Sequence, residues 1–205
     1  MSKEIGLFEA INTLRSIRKF KPIPVEDEKI RLILEAATKA PSGGNSQPWE
    51  FIVIKDPEIK RKLKDYVAKG CKIYLESRLY RLPPEMETKV LKLAEETDKV
   101  PVLILVCLNT QRARRVKNQW IWIEEMGNYG SIFPAVQNIL LAARGLGLGT
   151  CISMFHLFYE YEVKQLLKIP DHVKPLALIN VGYPVGKFSP PKRLPVDQFI
   201  HYDGW

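Results

Sequence analysis

The stretch from residue 41 to residue 49 reads Pro-Ser-Gly-Gly-Asn-Ser-Gln-Pro-Trp and lies between two different hydrophobic patterns. Before it, apolar residues recur at helical spacing, and the helix should end ahead of Pro41 because the residue before a proline disfavours helical backbone. These apolar residues are Ile30, Ile33, Leu34 and Ala37. After it, the short run Phe51–Ile54 is bounded by turn residues and predicts a buried strand. The sequence therefore predicts a helix, a tight loop and a strand in this order.

The composition of the loop has two interpretations. Gly43 and Gly44 would let the backbone approach a flat ligand closely, and the amides of Asn45 and Gln47 can both donate and accept hydrogen bonds. The pyrimidine edge of a flavin ring presents that mixed hydrogen-bonding pattern. Proline, serine, glycine and asparagine are equally ordinary in a tight connection without a ligand. Both interpretations stay open at this point.

Further strands and helices are predicted outside this unit. Residues 102–107 and 176–181 have the same strand pattern, and residues 58–67 and 85–97 have helical patterns. A strongly apolar helix, expected at the centre of the fold, contains Ile132, Ala135, Val136, Ile139, Leu140 and Ala143. Strands interspersed with helices predict one α+β or three-layer α/β domain over residues 1–205.

Two segments lack such periodicity. Residues 71–84 carry several charges and no clean period, so the region 71–100 holds a candidate lid. Residues 186–205 are also irregular but contain the apolar side chains Phe188, Leu194, Phe199, Ile200, Tyr202 and Trp205. A disordered tail would not carry so much apolar surface, so we expect it to lie on another surface, such as that of a second subunit.

The bulk composition is that of a folded, water-soluble domain. Hydrophobic residues make up 46% of the 205 residues and charged residues 26%, which are average values for globular proteins. The apolar run from Val100 to Leu108 contains Pro101 and is too short to cross a bilayer, so no membrane partner is expected. The first residues lack the apolar centre of a secretory signal, and the cysteines form no pair suited to a disulfide framework. We therefore expect a cytoplasmic protein.

The formal net charge of +8 raises the question of an acidic partner. Lysine and arginine are spread along the chain, with the densest group at Arg112, Arg114 and Arg115. No basic arm and no aromatic-interleaved RNA signature accompanies them. The pattern favours a solvated basic surface and predicts no nucleic-acid partner.

No self-contained catalytic set is present. His156, His172 and His201 stand far apart without metal-ligand spacing, and no nucleophile elbow or phosphate-binding loop occurs. The glycine series Gly145, Gly147 and Gly149 lacks the register of a dinucleotide-binding loop. We therefore predict no metal site and no catalytic side chain, and expect a bound cofactor to supply the chemistry.

Arg15, Ser16 and Arg18 form a short cationic and hydroxyl-bearing group after the first predicted helix. Guanidinium and hydroxyl groups can hold one phosphate through charge-assisted hydrogen bonds. Cations at the end of a helix also favour its dipole without any ligand. Taken alone, the group does not decide between these two roles.

Six sequence segments together resemble the nitroreductase family, and they occur in the family's order over nearly the whole chain. The most specific of them is the loop 41–49. The others are R-S-I-R-K-F at 15–20, G-L-G-L-G-T at 145–150, G-Y-P at 182–184, K-R-L-P at 192–195 and H-Y-D-G-W at 201–205.

The resemblance implies a three-layer α/β/α fold of the α+β class with a central mixed sheet and a domain-swapped C-terminal tail. It also implies a homodimer that binds FMN in two clefts between the subunits, with residues 186–205 packed on the partner. The aromatic residues Trp120, Trp122 and Tyr129 are expected in the core or in the dimer interface.

The resemblance further assigns FMN-binding roles to individual residues. Arg15, Ser16 and Arg18 would hold the phosphate and ribityl chain, together with Lys192 and Arg193 of the tail. The flavin ring would be lined by residues of the loop, and its N5 atom would be met by the backbone after the glycine-rich turn. These residues are Pro41, Ser42, Asn45, Gln47, Cys151, Ile152 and Ser153.

The implied mechanism needs no protein nucleophile, and Cys151 is better explained as a small buried residue. By resemblance, NADH or NADPH would pass a hydride to flavin N5 and leave, and a small oxidised acceptor such as a nitroaromatic or a quinone would follow in a ping-pong cycle. Alternatives within the family are dehalogenase, flavin-destroying and azoline oxidase types. A non-catalytic FMN-binding protein is a further alternative. The choice between NADH and NADPH and the physiological acceptor stay open.

Overall fold

A computed structural model describes residues 5–77, 82–113 and 118–205 of the protein. Part of the candidate lid, including Arg78, Tyr80 and Arg81, lies outside the described residues. Arg114 and Arg115 of the densest basic group also lie outside them.

The described residues form helices interspersed with the strands of a single sheet. The helices are α1 (Leu7–Thr13), α2 (Asp27–Ala37), α3 (Pro57–Glu76), α4 (Pro84–Glu95), α5 (Ile121–Gly145) and α6 (Glu160–Leu167). The strands are β1 (Trp49–Ile54), β2 (Val102–Asn109), β3 (Gly149–Ser153) and β4 (Val173–Gly182). The predicted helix, loop and strand around residues 41–49 are therefore confirmed as α2, a 3-10 turn at Gly43–Asn45, and β1.

The sheet has the strand order β1-β2-β4-β3, and every ladder in the described part of the chain is antiparallel. The expectation of a central mixed sheet is therefore wrong for the strands within one chain. The parallel pairing seen among the described residues is an isolated bridge between Ser16 and Thr150 at the β3 edge. The connections from β1 to β2 and from β3 to β4 each begin and end at the same end of the sheet, so the strands that they join are antiparallel.

Both faces of the sheet are covered, which confirms the three-layer α+β arrangement. On one face, α2 and α5 pack against sheet residues such as Ile104 and Ile179. On the other face, α3, α4 and α6 pack against residues such as Leu105 and Leu178. Because side chains alternate between the faces of a strand, neighbouring residues of β2 and β4 enter different cores. All eight residues of β2 are buried, as expected for a strand covered on both faces.

Helix α5 begins well before the predicted apolar segment. It starts at Ile121 rather than near Ile132, and Ile132 itself is fully buried. The added N-terminal turns leave large apolar side chains in solvent, with Trp122 56% and Met126 65% exposed. The central helix is thus buried along its second half and exposed along its first.

The start of the candidate lid is helical. Residues 71–76 continue α3, which begins at an Asp56 cap whose carboxylate accepts a hydrogen bond from the Ile59 N–H at 2.9 Å. Gly70 allows α3 to approach the 3-10 turn Phe155–Tyr159 closely, since an added Cβ would lie 2.0 Å from the Phe155 carbonyl oxygen. Residues 71–76 are therefore helical although their apolar side chains show no clean helical period.

The buried imidazole of His156 makes folding sensitive to acid. The ring is fully buried, and neither nitrogen has a hydrogen-bond partner among residues 5–77, 82–113 and 118–205. Burial lowers the pKa of the imidazole from 6.5 to about 4. Between about pH 6.5 and pH 4, the His156 imidazole is therefore protonated in the unfolded chain but stays neutral in the folded chain. The free energy of unfolding should fall across this window as pH falls, by up to about 3 kcal/mol.

We expect His156→Leu to lose this acid-side slope, as measured by urea unfolding at pH 7, 5.5 and 4.5. His201→Leu, at an exposed position of the tail, is the matched control and should keep it. A wild-type slope in His156→Leu would contradict the assignment.

Candidate active site

The segment Arg15–Arg18 lies along the outer edge of β3. The Ile17 N–H donates to the Thr150 carbonyl oxygen at 2.8 Å, and Ser16 bridges Thr150 in parallel orientation. This places Arg18 and Ser16 within hydrogen-bonding reach of the Cys151 thiol. Two groups of predicted FMN-binding residues that are far apart in the sequence therefore meet at one edge of the sheet.

A glycine permits this contact. A Cβ added at Gly149 would lie 2.7 Å from the Ile17 Cβ, a distance that real side chains do not reach. The turn before it contains Gly147 with φ +76°, a left-handed conformation that glycine adopts without strain. In the glycine-rich turn, Gly147 therefore allows the chain to reverse, and Gly149 allows β3 to approach Ile17 closely.

The two arginines are free to bind an anion. Arg15 donates from Nη1 to the Ser189 hydroxyl at 2.7 Å, and Arg18 lines a cavity beside β3. Neither forms an ion pair with a carboxylate in the described parts of the chain. Guanidinium groups bind phosphate through paired hydrogen bonds. These residues therefore fit a phosphate-bearing cofactor such as FMN.

The Cys151 thiol is not a prepared nucleophile. Burial raises its pKa, against smaller lowering contributions from the Arg18 charge and from hydrogen bonds with Ser16 and Arg18. A thiol with a raised pKa carries little reactive thiolate near neutral pH. The geometry agrees with the interpretation of Cys151 as a packing residue.

The tail passes the arginine segment but does not close over it. Ser189 contacts Arg15, whereas Lys192 and Arg193 are exposed, and the Arg193 guanidinium donates to the Lys192 carbonyl oxygen at 3.0 Å. Arg144 on α5 holds the Phe188 ring at 4.0 Å from its guanidinium carbon. The structure thus brings the start of the tail to the site and leaves its two cations in solvent.

The loop carrying Pro41, Ser42, Asn45 and Gln47 is held in a defined shape. The Ser42 hydroxyl accepts from the Gln47 N–H at 3.0 Å, and the Gly43 N–H donates to the Ser131 hydroxyl on α5 at 3.1 Å. Asn45 and Gln47 both have positive φ, at 54° and 49°. Non-glycine residues with positive φ are uncommon in proteins, and those that do occur are concentrated at ligand-binding and active sites.

Within one chain, the loop and β3 lie at opposite edges of the sheet. Two strands separate β1 from β3, which corresponds to about 14 Å across the sheet. Along the strands, Trp49 is level with Lys174, and Cys151 is level with Asn180, which adds about 20 Å. The two halves of the predicted flavin site are therefore not brought together by a single chain.

A cavity of about 300 Å³ separates the β3 edge from α3 and α4. Cys151, Ile152, Ser153 and Arg18 were predicted from the sequence to lie near a ligand, whereas the residues on the other side of this cavity were not. Asn180 could have been found, because it is a polar residue inside the otherwise apolar segment 176–181. The remaining lining residues are Val67, Tyr74, Leu82, Val90, Leu93, Ala94, Glu96, Thr97, Val100, Met154 and Phe155.

Across residues 5–77, 82–113 and 118–205, no three His, Cys, Asp or Glu side chains lie together as metal ligands would. Among the helices of these same ranges, none has the length and apolar character needed to cross a membrane.

The Gly149 contact leads to a direct prediction. Gly149→Ala should push the Ile17 backbone away from β3 and displace Ser16 and Arg18, so that the purified protein retains at least tenfold less FMN than the wild type. FMN is measured by its absorbance after release with acid. Gly145→Ala is the matched control, since a Cβ there meets no atom within 4 Å, and it should retain FMN normally. Full retention in Gly149→Ala would show that the contact does not position the cofactor residues.

The chain is similar to known proteins over most of its length. The model of the "Nitroreductase family" matches residues 11–183. A protein of Methanothermobacter thermautotrophicus named "Putative NADH dehydrogenase/NAD(P)H nitroreductase" is 31% identical, over 98% of this chain and 89% of its own length. The rat protein iodotyrosine deiodinase 1 is also 31% identical, over 94% of this chain and 68% of its own length.

A solved structure shares the fold at lower identity. It is the NADPH:FMN oxidoreductase from Vibrio harveyi complexed with NAD+, with a TM-score of 0.73 and 21% identity over 97% of this chain and 77% of that one. The chain belongs to the nitroreductase family of oxidoreductases, as the order of its sequence motifs predicted.

Proposed function

We propose that the protein is an FMN-dependent oxidoreductase that takes electrons from NADH or NADPH and passes them to a small oxidised acceptor. The observation that carries this proposal is the meeting of Arg15, Ser16 and Arg18 with Cys151–Ser153 at the β3 edge. The arginines there have no carboxylate partner in the described chain, which suits a phosphate ester. No prepared nucleophile lies beside them, which suits chemistry supplied by a cofactor.

Each group of residues has a part in this function. Arg15 and Arg18, joined by Lys192 and Arg193 of the tail, would bind the phosphate and ribityl chain. The amides of Asn45 and Gln47 would face the pyrimidine edge of the ring. Hydrogen-bond donors at that edge stabilise negative charge on a reduced flavin. When bound, FMN would supply two-electron transfer between the nicotinamide and the acceptor in a ping-pong cycle.

A second copy of the chain would complete the site. The loop 41–47 and β3 are too far apart for one flavin ring to touch both within a chain. A homodimer with two-fold symmetry would place the loop of one copy against the β3 edge of the other. We therefore propose two FMN clefts, each built from both chains.

The surface for this dimer would be the exposed apolar face of α1 and α5. Phe8 on α1 is 77% exposed, and the first half of α5 exposes Trp122 and Met126. The two helices are joined where the Arg144 Nε donates to the Thr13 hydroxyl at 2.8 Å. Ser131, a buried residue of the same helix, also holds the loop 41–47, so α5 would deliver the loop to the partner.

The tail would pack on the partner in this dimer. Leu194, Phe199 and Trp205 are all largely exposed, and no regular strand forms in residues 186–205. Among the described residues, no strand lies beside the outer edge of β1. An apolar groove between this edge and α2 contains Ile30, Leu34, Phe51 and Val53. A partner tail added parallel to β1 would cover this groove and make the sheet mixed in the dimer.

A dehalogenase is the second candidate, because iodotyrosine deiodinase 1 is among the similar proteins. The lid residues Lys72 and Glu76 are exposed on α3, whereas Tyr74 lines the cavity. Tyr80 lies outside the described residues. An acceptor panel with a nitroaromatic, a quinone and iodotyrosine separates the two candidates, since iodide release identifies the dehalogenase.

The first test is the cofactor itself. The purified protein should be yellow, release FMN on denaturation and bleach on anaerobic addition of NADH or NADPH. Arg15→Ala and Arg193→Ala should each weaken FMN binding about tenfold or more, because each removes a charge-assisted hydrogen bond to phosphate. Arg61→Ala is the matched control, since Arg61 lies on α3 and pairs with Glu58.

Colourless protein that takes up no FMN would refute the proposed function. Yellow protein that neither nicotinamide bleaches would indicate a passive FMN carrier. Tightly held FMN in both arginine variants would refute their role in binding.

The dimer is tested at its proposed surface. Trp122→Glu should place a charge in the apolar interface, convert the dimer to monomers in sedimentation velocity and release FMN in the same preparation. Tyr161→Glu is the matched control, because Tyr161 is 72% exposed on α6 and should tolerate the charge. A Trp122→Glu monomer that keeps its FMN would show that one chain holds the cofactor alone.

A further inference from the structure

The start of the tail runs antiparallel to the arginine segment. The Val185 N–H donates to the Lys19 carbonyl oxygen at 3.1 Å. Four residues further along the tail, the Ser189 hydroxyl accepts from the Arg15 guanidinium at 2.7 Å. Among the described residues, no backbone hydrogen bond joins the two segments between these contacts. Side chains therefore hold this stretch of the tail beside Arg15.

The Arg144 side chain of α5 contacts both segments. Its Nε donates to the Thr13 hydroxyl at 2.8 Å, and its guanidinium carbon lies 4.0 Å from the centre of the Phe188 ring. Thr13 lies two residues before Arg15, and Phe188 directly precedes Ser189. Arg144 itself is only 7% exposed. One buried guanidinium therefore fixes a residue in each segment, next to the point at which the segments meet.

Arg144 also has features that need no ligand. It lies in the last turn of α5, where a positive charge is favourable for the helix dipole. Its Nη2 lies 3.8 Å from the exposed Glu9 carboxylate, and an ion pair of this kind contributes little to stability. Neither feature involves the aromatic ring, whereas a planar guanidinium stacks on such a ring in a defined orientation. The contact with Phe188 is therefore the one that places the tail.

We propose that Arg144 is a positioning residue for the FMN phosphate and that Ser189 is a further ligand of this phosphate. By holding Thr13 and Phe188, Arg144 keeps Arg15 and Ser189 in contact. The Ser189 hydroxyl accepts from Arg15 and keeps its own hydrogen to donate to a phosphate oxygen. This role rests on the proposed function, because FMN is the phosphate ester that the site would hold.

The role concerns the phosphate and not the flavin ring. Arg144 contacts the two segments that would hold the phosphate, whereas the loop 41–47 and β3 would hold the ring. Loss of Arg144 should therefore weaken the binding of the phosphate and leave the binding of the ring unchanged. Riboflavin is FMN without the phosphate, so its affinity reports on the ring and the ribityl chain alone.

Titration of the flavin-free protein with FMN and with riboflavin tests the positioning role. Arg144→Met removes the guanidinium but keeps an unbranched side chain in the buried position. We expect it to raise the Kd of FMN about tenfold and to change the Kd of riboflavin less than about twofold, as measured by flavin fluorescence. Arg61→Met is the matched control, since Arg61 lies on α3 and pairs with Glu58, and it should leave both Kd values unchanged.

Two further variants remove the Arg144 contacts one at a time and keep its charge. Thr13→Val removes the hydroxyl, and Phe188→Leu removes the ring. Each should raise the Kd of FMN about threefold to tenfold without an effect on riboflavin. Adding Phe188→Leu to Arg144→Met should weaken FMN binding no further, because the two residues act through one contact. The single variants also test the role if Arg144→Met does not fold in thermal unfolding.

Ser189→Ala tests the proposed ligand itself. The variant keeps the contacts of Arg144 and removes only the hydroxyl. It should raise the Kd of FMN about threefold to tenfold, with the Kd of riboflavin unchanged. An unchanged Kd of FMN would overturn the assignment of Ser189 as a ligand.

The remaining outcomes separate the positioning role from the proposed function. An equal loss of FMN and riboflavin in the Arg144→Met protein would show a general structural role and overturn the positioning role. Its dissociation into monomers in sedimentation velocity would do the same. A wild-type Kd of FMN in the variants of Arg144, Thr13 and Phe188 would overturn the positioning role and leave the oxidoreductase standing. A wild-type protein that binds neither flavin would refute both.

Discussion

The close approach of Ile17 to Gly149 is the constraint on which the candidate active site depends. No side chain at residue 149 could be accommodated, because its Cβ would lie 2.7 Å from the Cβ of Ile17. The hydrogen bond from the Ile17 N–H to the Thr150 carbonyl then fixes Ser16 and Arg18 beside Cys151. The same contact covers the β3 edge of the sheet, which leaves β1 as the open edge. One backbone contact therefore determines where the cations lie and which edge is available to a partner.

The width of the sheet sets the second constraint. The loop 41–47 is attached to β1 and to Ser131 of α5, whereas the arginine segment is attached to β3. Rigid strands keep these two groups apart, so no rotation of side chains can bring them to one flavin. The proposed dimer is a consequence of this separation as well as of the exposed apolar surface. Helix α5 links the two features, because it exposes Trp122 and Met126 and also holds the loop.

The two faces of the sheet have different roles. The core formed with α2 and α5 is closed and apolar, with Ile132 and Ile139 fully buried. The core formed with α3, α4 and α6 contains the cavity, the unpaired oxygen of Asn180 and the unpartnered imidazole of His156. Buried polar groups without partners lower stability, and they are tolerated where a site needs them. The cavity beside β3 and the buried polar groups therefore lie on the same face of the sheet.

Much of the fold was predictable from the sequence, because local backbone preferences and burial periodicity are short-range properties. The helix before Pro41, the loop and β1 follow directly from their residues, and the order of the motifs predicted the family. Strand β3 was missed as a strand because it is short and follows a glycine-rich turn. The early start of α5 was missed because its exposed aromatic residues give no buried stripe.

The sequence by itself supplied the groups that we propose would hold a phosphate and a flavin ring: the arginines near residue 15 and the amides of the loop. Only the tertiary structure decided that these groups lie at opposite edges of an antiparallel sheet and that Asn180 lines a cavity. Distances between such groups depend on strand order and register, which result from packing between segments remote in the chain. No local pattern carries that information, because each segment would have the same periodicity in a different strand order.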